Sequence, residues 1–120
     1  MEQNKIMKCF IGDIVLCDKA YAAKTLWERT KGLMFRKSIG PTDPIDGMMI
    51  YFCNSVHTFF MRFPLDLLFL DNSNKVIKVI HNKKTWRMTW FYFKATRVLE
   101  LPIGMAENIK EHDVIEVEYV

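Results

Sequence analysis

The amino-acid sequence predicts an α+β, β-rich domain: a compact, strongly bent sheet or small barrel with one or two short helices. Short apolar segments bounded by Gly, Pro, Asn and Asp recur along the chain, which is the pattern of many strands joined by tight turns. One segment alone carries helix signals at both of its ends. With 120 residues, half of them apolar, the chain supports one hydrophobic core and a single domain over 1–120.

The elements follow in order. Lys8 to Cys17 reads as a strand or strand pair, with Gly12-Asp13 as a bulge or tight turn. Thr25 and Glu28 have the spacing of a capping box, in which the hydroxyl and the carboxylate each satisfy an amide of the first turn. A helix follows from Leu26 to Lys31, with Arg29 and Lys31 near its negative end and Gly32 placed to terminate it. Ser38 to Gly47, with two prolines and two glycines, is a loop, and Met48 to Phe52 is a short strand. Val56 to Phe63 alternates and predicts a strand, with His57, Phe59, Met61 and Phe63 on one face. Asp66 to Asp71 contains a run apolar on both faces, as in a covered central strand. The Asp71–Asn74 turn returns it to a strand over Lys75–His81, which gives the clearest hairpin in the chain. Asn82 to Thr96 has no period and reads as a long excursion. Arg97 to Pro102 is another strand and Gly104 to Lys110 a short turn or helix. Val114 to Val120 closes the domain, with Ile115, Val117 and Tyr119 facing inward.

Charge is distributed unevenly. The net +3 is the remainder of a basic stretch over 61–97, with eight basic and two acidic residues, and a tail over 98–120 with one basic and six acidic. No apolar run is long enough for a membrane span. The N-terminal MEQNKIMKCF shows no apolar core of a signal peptide, and three cysteines form no even framework. The expectation is a cytoplasmic protein.

Four segments together resemble a known family. Glu28-Arg29-Thr30-Lys31-Gly32-Leu33-Met34-Phe35-Arg36 is similar to an ER-x-x-GLM-x-R signature. Asp46 to Phe52 resembles the family's GM-apolar-F strand, and Val56 to Asp66 with Phe69-Leu70-Asp71 resembles its most telling stretch. Val98 to Gly104 matches a VLE-x-x-x-G segment. The resemblance is to the domain of unknown function 192 family and covers about Thr25 to Val117. It implies a small β-rich α+β domain without an assigned activity, so it speaks to fold before function. The family's glycine before the C-terminal aspartate is His112 here, which predicts a turn residue with positive φ and not a ligand.

Six polar residues embedded in apolar sequence form the leading candidate site: Arg36, His57, Thr58, Arg62, Asp66 and Glu100. Asp66 and Glu100 are flanked by apolar neighbours, and buried carboxylates need partners. Arg62 is the nearest arginine able to clamp either one. Such a set forms either a cleft for a small polar or anionic ligand or an ion-pair network that fixes strand register. Cys53 and His57 raise the possibility of a thiol–imidazole dyad, which on a strand would lie about 13 Å apart without a turn between them. The sequence predicts no metal site, since it has no paired-cysteine or zinc-protease pattern and its three histidines fall in different elements. It also predicts no cofactor, lacking a glycine-rich phosphate loop or a dinucleotide fingerprint.

Asn82 to Arg97 interleaves five basic residues with Trp86, Trp90, Phe91, Tyr92 and Phe93 and has no acid. Trp86 and Arg87 at its centre are typical interface anchors. Alternatively, the aromatics fold back on the core while the cations stay solvated. Nucleic acid is the disfavoured partner, because the acidic tail opposes phosphate. The methionines around the first helix and the strands read as core filler. The functional expectation is a non-catalytic binding or accessory module with a polar cleft and a basic–aromatic contact loop, taking an unknown protein partner or a small polar ligand. The alternative is a small-molecule enzyme in which His57 works with a carboxylate of the same cleft.

Overall fold

The computed structural model describes residues 5–120. Alternating and continuous apolar segments assemble into one seven-stranded mixed sheet, in the spatial order β5-β4-β6-β3-β2-β1-β7. Of the two readings of Lys8–Cys17, the strand pair forms: β1 (Ile6–Ile11) and β2 (Ile14–Ala23) make a hairpin longer than that segment, with Gly12 at φ 56° in its turn. α1 (Leu26–Lys31) and a loop carry the chain across to β3 (Gly47–Tyr51), which pairs parallel with β2. β4 (Leu65–Leu70) and β5 (Val76–Lys83) form the second hairpin, and β6 (Arg97–Leu101) inserts between β4 and β3. β7 (Glu116–Tyr119) pairs with β1. All pairings except β2–β3 are antiparallel.

The sheet has apolar residues on both faces, so each face needs its own cover. On one, Met7, Met49, Leu68, Leu99 and Leu101 pack under the 102–115 segment through Ala106, Ile109 and Ile115. On the other, Met48, Ile50, Leu67, Phe69 and Val98 are covered by Leu33, Val56, Met61 and Ala95 from three connections. β4 is buried at every position, as its continuous apolar run requires.

The sheet is not closed into a barrel. Among the described residues its edges meet at one end, where His112 N–H donates to Val76 O, Val76 N–H to Asp113 O and Ile115 N–H to Asn74 O. The described residues form one helix, and Gly104–Lys110 is a series of turns. Of the closing segment, Ile115 is buried and Val117 half-buried, whereas Tyr119 is exposed because β7 is an edge strand.

The strand expected over Val56–Phe63 does not form. One bridge joins His57 to Met88, and Phe60 adopts φ 62°, which ends any pleat there. The segment's amides and carbonyls pair irregularly with the excursion: Thr58 N–H donates to Arg87 O, Trp86 N–H to Thr58 O and Thr89 N–H to Val56 O. The excursion therefore packs against 54–58. Among the described residues, no ion pair joins it to the acidic C-terminal segment.

Candidate functional site

The site begins with a carboxylate on a strand. Alternation along β6 sends Leu99 and Leu101 to one face and Val98 and Glu100 to the other. Glu100 is thus set between Met48 of β3 and Leu67 of β4, its register partners, and is 2% exposed. Its Oε1 has no hydrogen-bond partner among the described residues. Burial alone raises its pKa to about 8, so the group is largely a neutral acid at pH 7.

The lid over Glu100 is the end of α1. The capping box forms: Thr25 Oγ1 accepts from Glu28 N–H, and Glu28 Oε1 accepts from Thr25 N–H. Glu28 Oε2 also takes the Tyr21 hydroxyl and Lys5 Nζ. These donors, the Tyr21 hydroxyl foremost, hold the Glu28 carboxyl well below the ordinary range. The helix is thereby pinned to β2 and ends at Gly32, whose φ is 50°. A methyl group at Gly32 would lie 3.6 Å from Ile50 Cδ1 and 3.8 Å from Glu100 Oε1, in ordinary contact, so the turn lies beside the carboxyl and it is the positive φ that favours glycine.

A cavity of about 250 Å³ opens between these parts. Glu100 and Ile50 form its floor, Leu33, Val56 and Met61 its apolar walls, and Arg29, Cys53 and His57 supply further polar groups. Cys53 Sγ donates to Ser55 O at 2.8 Å, and its pKa is raised, first by burial and further by Glu100. His57 Nδ1 accepts the Phe59 N–H at 3.2 Å, which leaves the other ring nitrogen to carry the proton. The thiol–imidazole dyad is not formed: the Cys53 proton is committed to Ser55 O and the thiol is stabilised uncharged.

The remaining candidates lie elsewhere. Asp66, 1% exposed, is not clamped by Arg62, which is exposed. Its oxygens accept the amides of Asn82, Gly104 and Ala106, so it stitches β5 and the 102–110 turns to β4. His81 Nδ1 lies 4.0 Å from Asp66 Oδ2. The buried Thr58 hydroxyl donates to Lys84 O at 2.6 Å and accepts from Arg87 N–H, tying two loops together. Arg36 is half-buried and lines a neighbouring cleft of about 340 Å³ with Tyr21, Trp27 and Glu28 on the far side of Gly32. Trp86 and Arg87 are exposed. Of the candidates, His57 and Glu100 share the cavity, and Arg36 adjoins it. The part that residue-by-residue reading missed is the end of α1, with Arg29 and Gly32. Its signal was present as the glycine at a helix terminus.

Residues 13–117 match the family model of the domain of unknown function 192, described as "Uncharacterized ACR". The chain belongs to this family. A UPF0127 protein of Pyrococcus horikoshii is 33% identical over 88 residues, which are 73% of this chain and 76% of that one. Two solved structures share the fold. A protein of unknown function from Novosphingobium aromaticivorans has a TM-score of 0.75 and 23% identity, covering 92% of this chain and 83% of its own. A protein from Sinorhizobium meliloti described as a candidate transcription regulator has a TM-score of 0.76 and 19% identity, covering 98% of each. In this member of the domain of unknown function 192 family, the ER-x-x-GLM stretch has a physical reading. Glu28 pins the helix, Arg29 reaches the cavity, Gly32 meets Glu100 and Leu33 fills the core. His112, at φ 78°, takes the left-handed position its turn requires.

Proposed function

We propose that the protein is a non-catalytic binding module that receives a small polar ligand in the Glu100 cavity. The observation that carries this reading is Glu100, which lines the cavity and whose buried Oε1 has no hydrogen-bond partner among the described residues. Such an atom is costly unless something fills its valence. As a neutral acid, Glu100 offers one donor and one acceptor, matching a hydroxyl, amide or other neutral polar head. Arg29 and Lys31, also at the cavity, favour an anionic group at the ligand's other end. An enzymatic role for His57 has less support, because no carboxylate hydrogen-bonds to its ring among the described residues and Nδ1 is occupied by a backbone amide. The three free thiols fit a reducing compartment, in keeping with a cytoplasmic location.

Thermal-shift screening of small metabolites at pH 7, followed by calorimetric titration of the hits, tests this. Ligands of the site should lose about tenfold or more in affinity in Glu100→Leu, the worth of one hydrogen bond to a buried partner. Glu100→Gln, which keeps a donor and an acceptor, should retain part of the binding. Hits whose affinity is unchanged in both variants would sink the assignment.

A further inference from the structure

The loops covering the Glu100 face present a second feature, independent of the cavity. Phe35, Phe60 and Trp86 come from three different connections, yet their rings form one cluster. Phe35 and Phe60 centroids lie 5.4 Å apart, and Phe60 and Trp86 centroids 4.8 Å apart. All three are outside the core, at 58%, 47% and 53% exposure. All three also have positive φ, at 68°, 62° and 59°, a conformation uncommon for bulky side chains. Backbone hydrogen bonds hold it: Phe35 N–H donates to Phe60 O at 3.0 Å and Trp86 N–H to Thr58 O at 2.9 Å. The neighbouring Met34 and Met61 line the cavity while the rings remain exposed. Beyond Trp86, the same excursion exposes Trp90 and Phe93, at 74% and 80%.

The segments that carry these rings have charge of one sign. Segments 32–39, 52–65 and 82–96 contain two, one and four Lys or Arg residues, and none of the three contains an Asp or Glu. An exposed aromatic cluster on segments whose only charges are cationic calls for an apolar but anionic partner. The rings stand on loops, and none of them lines either cleft beside Gly32. A lipid interface accepts such rings without a matching pocket, since Trp and other aromatics settle at the headgroup level while cations meet anionic lipid. Nucleic acid stacks bases along a groove, and these rings meet at tilted angles of 40° and 58° and form no parallel ladder.

We propose that the loop face bearing Phe35, Phe60 and Trp86 is a peripheral docking surface for membranes rich in anionic lipid. Its rings would sit at headgroup depth, with Lys84 and Arg87 over the phosphates. Co-sedimentation with phosphatidylcholine vesicles, with and without one quarter phosphatidylglycerol, tests it at low salt, with tryptophan emission read in parallel. The expected result is at least about tenfold stronger partitioning onto the anionic vesicles, weakening as salt rises. A blue-shifted emission should accompany it. Phe60→Ser with Trp86→Ser should abolish partitioning, and Lys84→Glu with Arg87→Glu should remove the anionic preference. Ile14→Ser, at an exposed hairpin position, should change neither. Circular dichroism of each variant separates loss of binding from loss of fold. No partitioning, or equal partitioning onto neutral vesicles, overturns the proposal. So does tighter binding to a mixed-sequence oligonucleotide or to polyglutamate at the same salt, which would assign the face to nucleic acid or to an acidic protein.

Discussion

Glu100 makes a single side chain legible in a bulk measurement. Its folded-state pKa of about 8 lies above the ordinary carboxylate value near 4.5. Below pH 4.5 the group is protonated whether the chain is folded or not, and it contributes nothing. As pH rises from 4.5 toward 8, the unfolded chain releases the proton and the folded chain retains it, so stability falls, by up to about 1.4 kcal/mol per unit. Glu100→Gln is therefore expected to flatten urea-denaturation stability across that window and to be the more stable protein at pH 9. A wild-type slope that persists in the variant would show that another group is responsible. Glu28 acts in the opposite sense. Its pKa is depressed, so its contribution is present above pH 4.5 and is lost on acidification. Asp66 is a third kind of carboxylate, held by three backbone amides. Asp66→Ala strands those donors and should cost about 3 kcal/mol or more in chemical denaturation.

Among the elements, α1 is short and has no buried residue, so packing of its own side chains does little to hold it. The caps do that work. Thr25→Ala should cost about 1 kcal/mol, and because the helix end roofs the cavity, it should also weaken any ligand found there. β3 depends instead on close approach. A Cβ at Gly47 would fall 2.6 Å from Cys17 Sγ and 3.1 Å from Glu100 O. Gly47→Ala should destabilise by about 1–3 kcal/mol through overpacking between β2 and β6, as read from thermal unfolding. These elements also show what the sequence made legible. The capping box, the β4–β5 hairpin and the fully buried β4 are local patterns, and each appears where the residues put it. Val56–Phe63 alternates as convincingly, but its backbone is captured by the excursion and bent at Phe60, a long-range event with no local signature. Arginines are visible in a sequence as partners for Asp66. Backbone amides brought in by Asn82, Gly104 and Ala106 are not. Glu100 could be recognised as a buried carboxylate from its neighbours, whereas the glycine above it required the fold.

For the whole molecule, the dominant fact is the order of the strands. β1, near the beginning of the chain, lies between β2 and β7, with Met7 opposite Tyr119 and Phe10 opposite Glu116. More than a hundred residues separate these partners, and the contacts described between the two sheet edges also use the segment just before β7. Chains whose pairings are this distant fold slowly, because loop closure precedes the contacts that reward it. During synthesis, β1 and β2 can form their hairpin early, but the outer edge of β1 stays bare until residue 119 has left the ribosome. At roughly 5–20 residues per second, that exposes an unpaired strand for several seconds. The nascent protein thus has a built-in interval in which a chaperone, or a neighbouring copy emerging from the same message, competes with its own last strand.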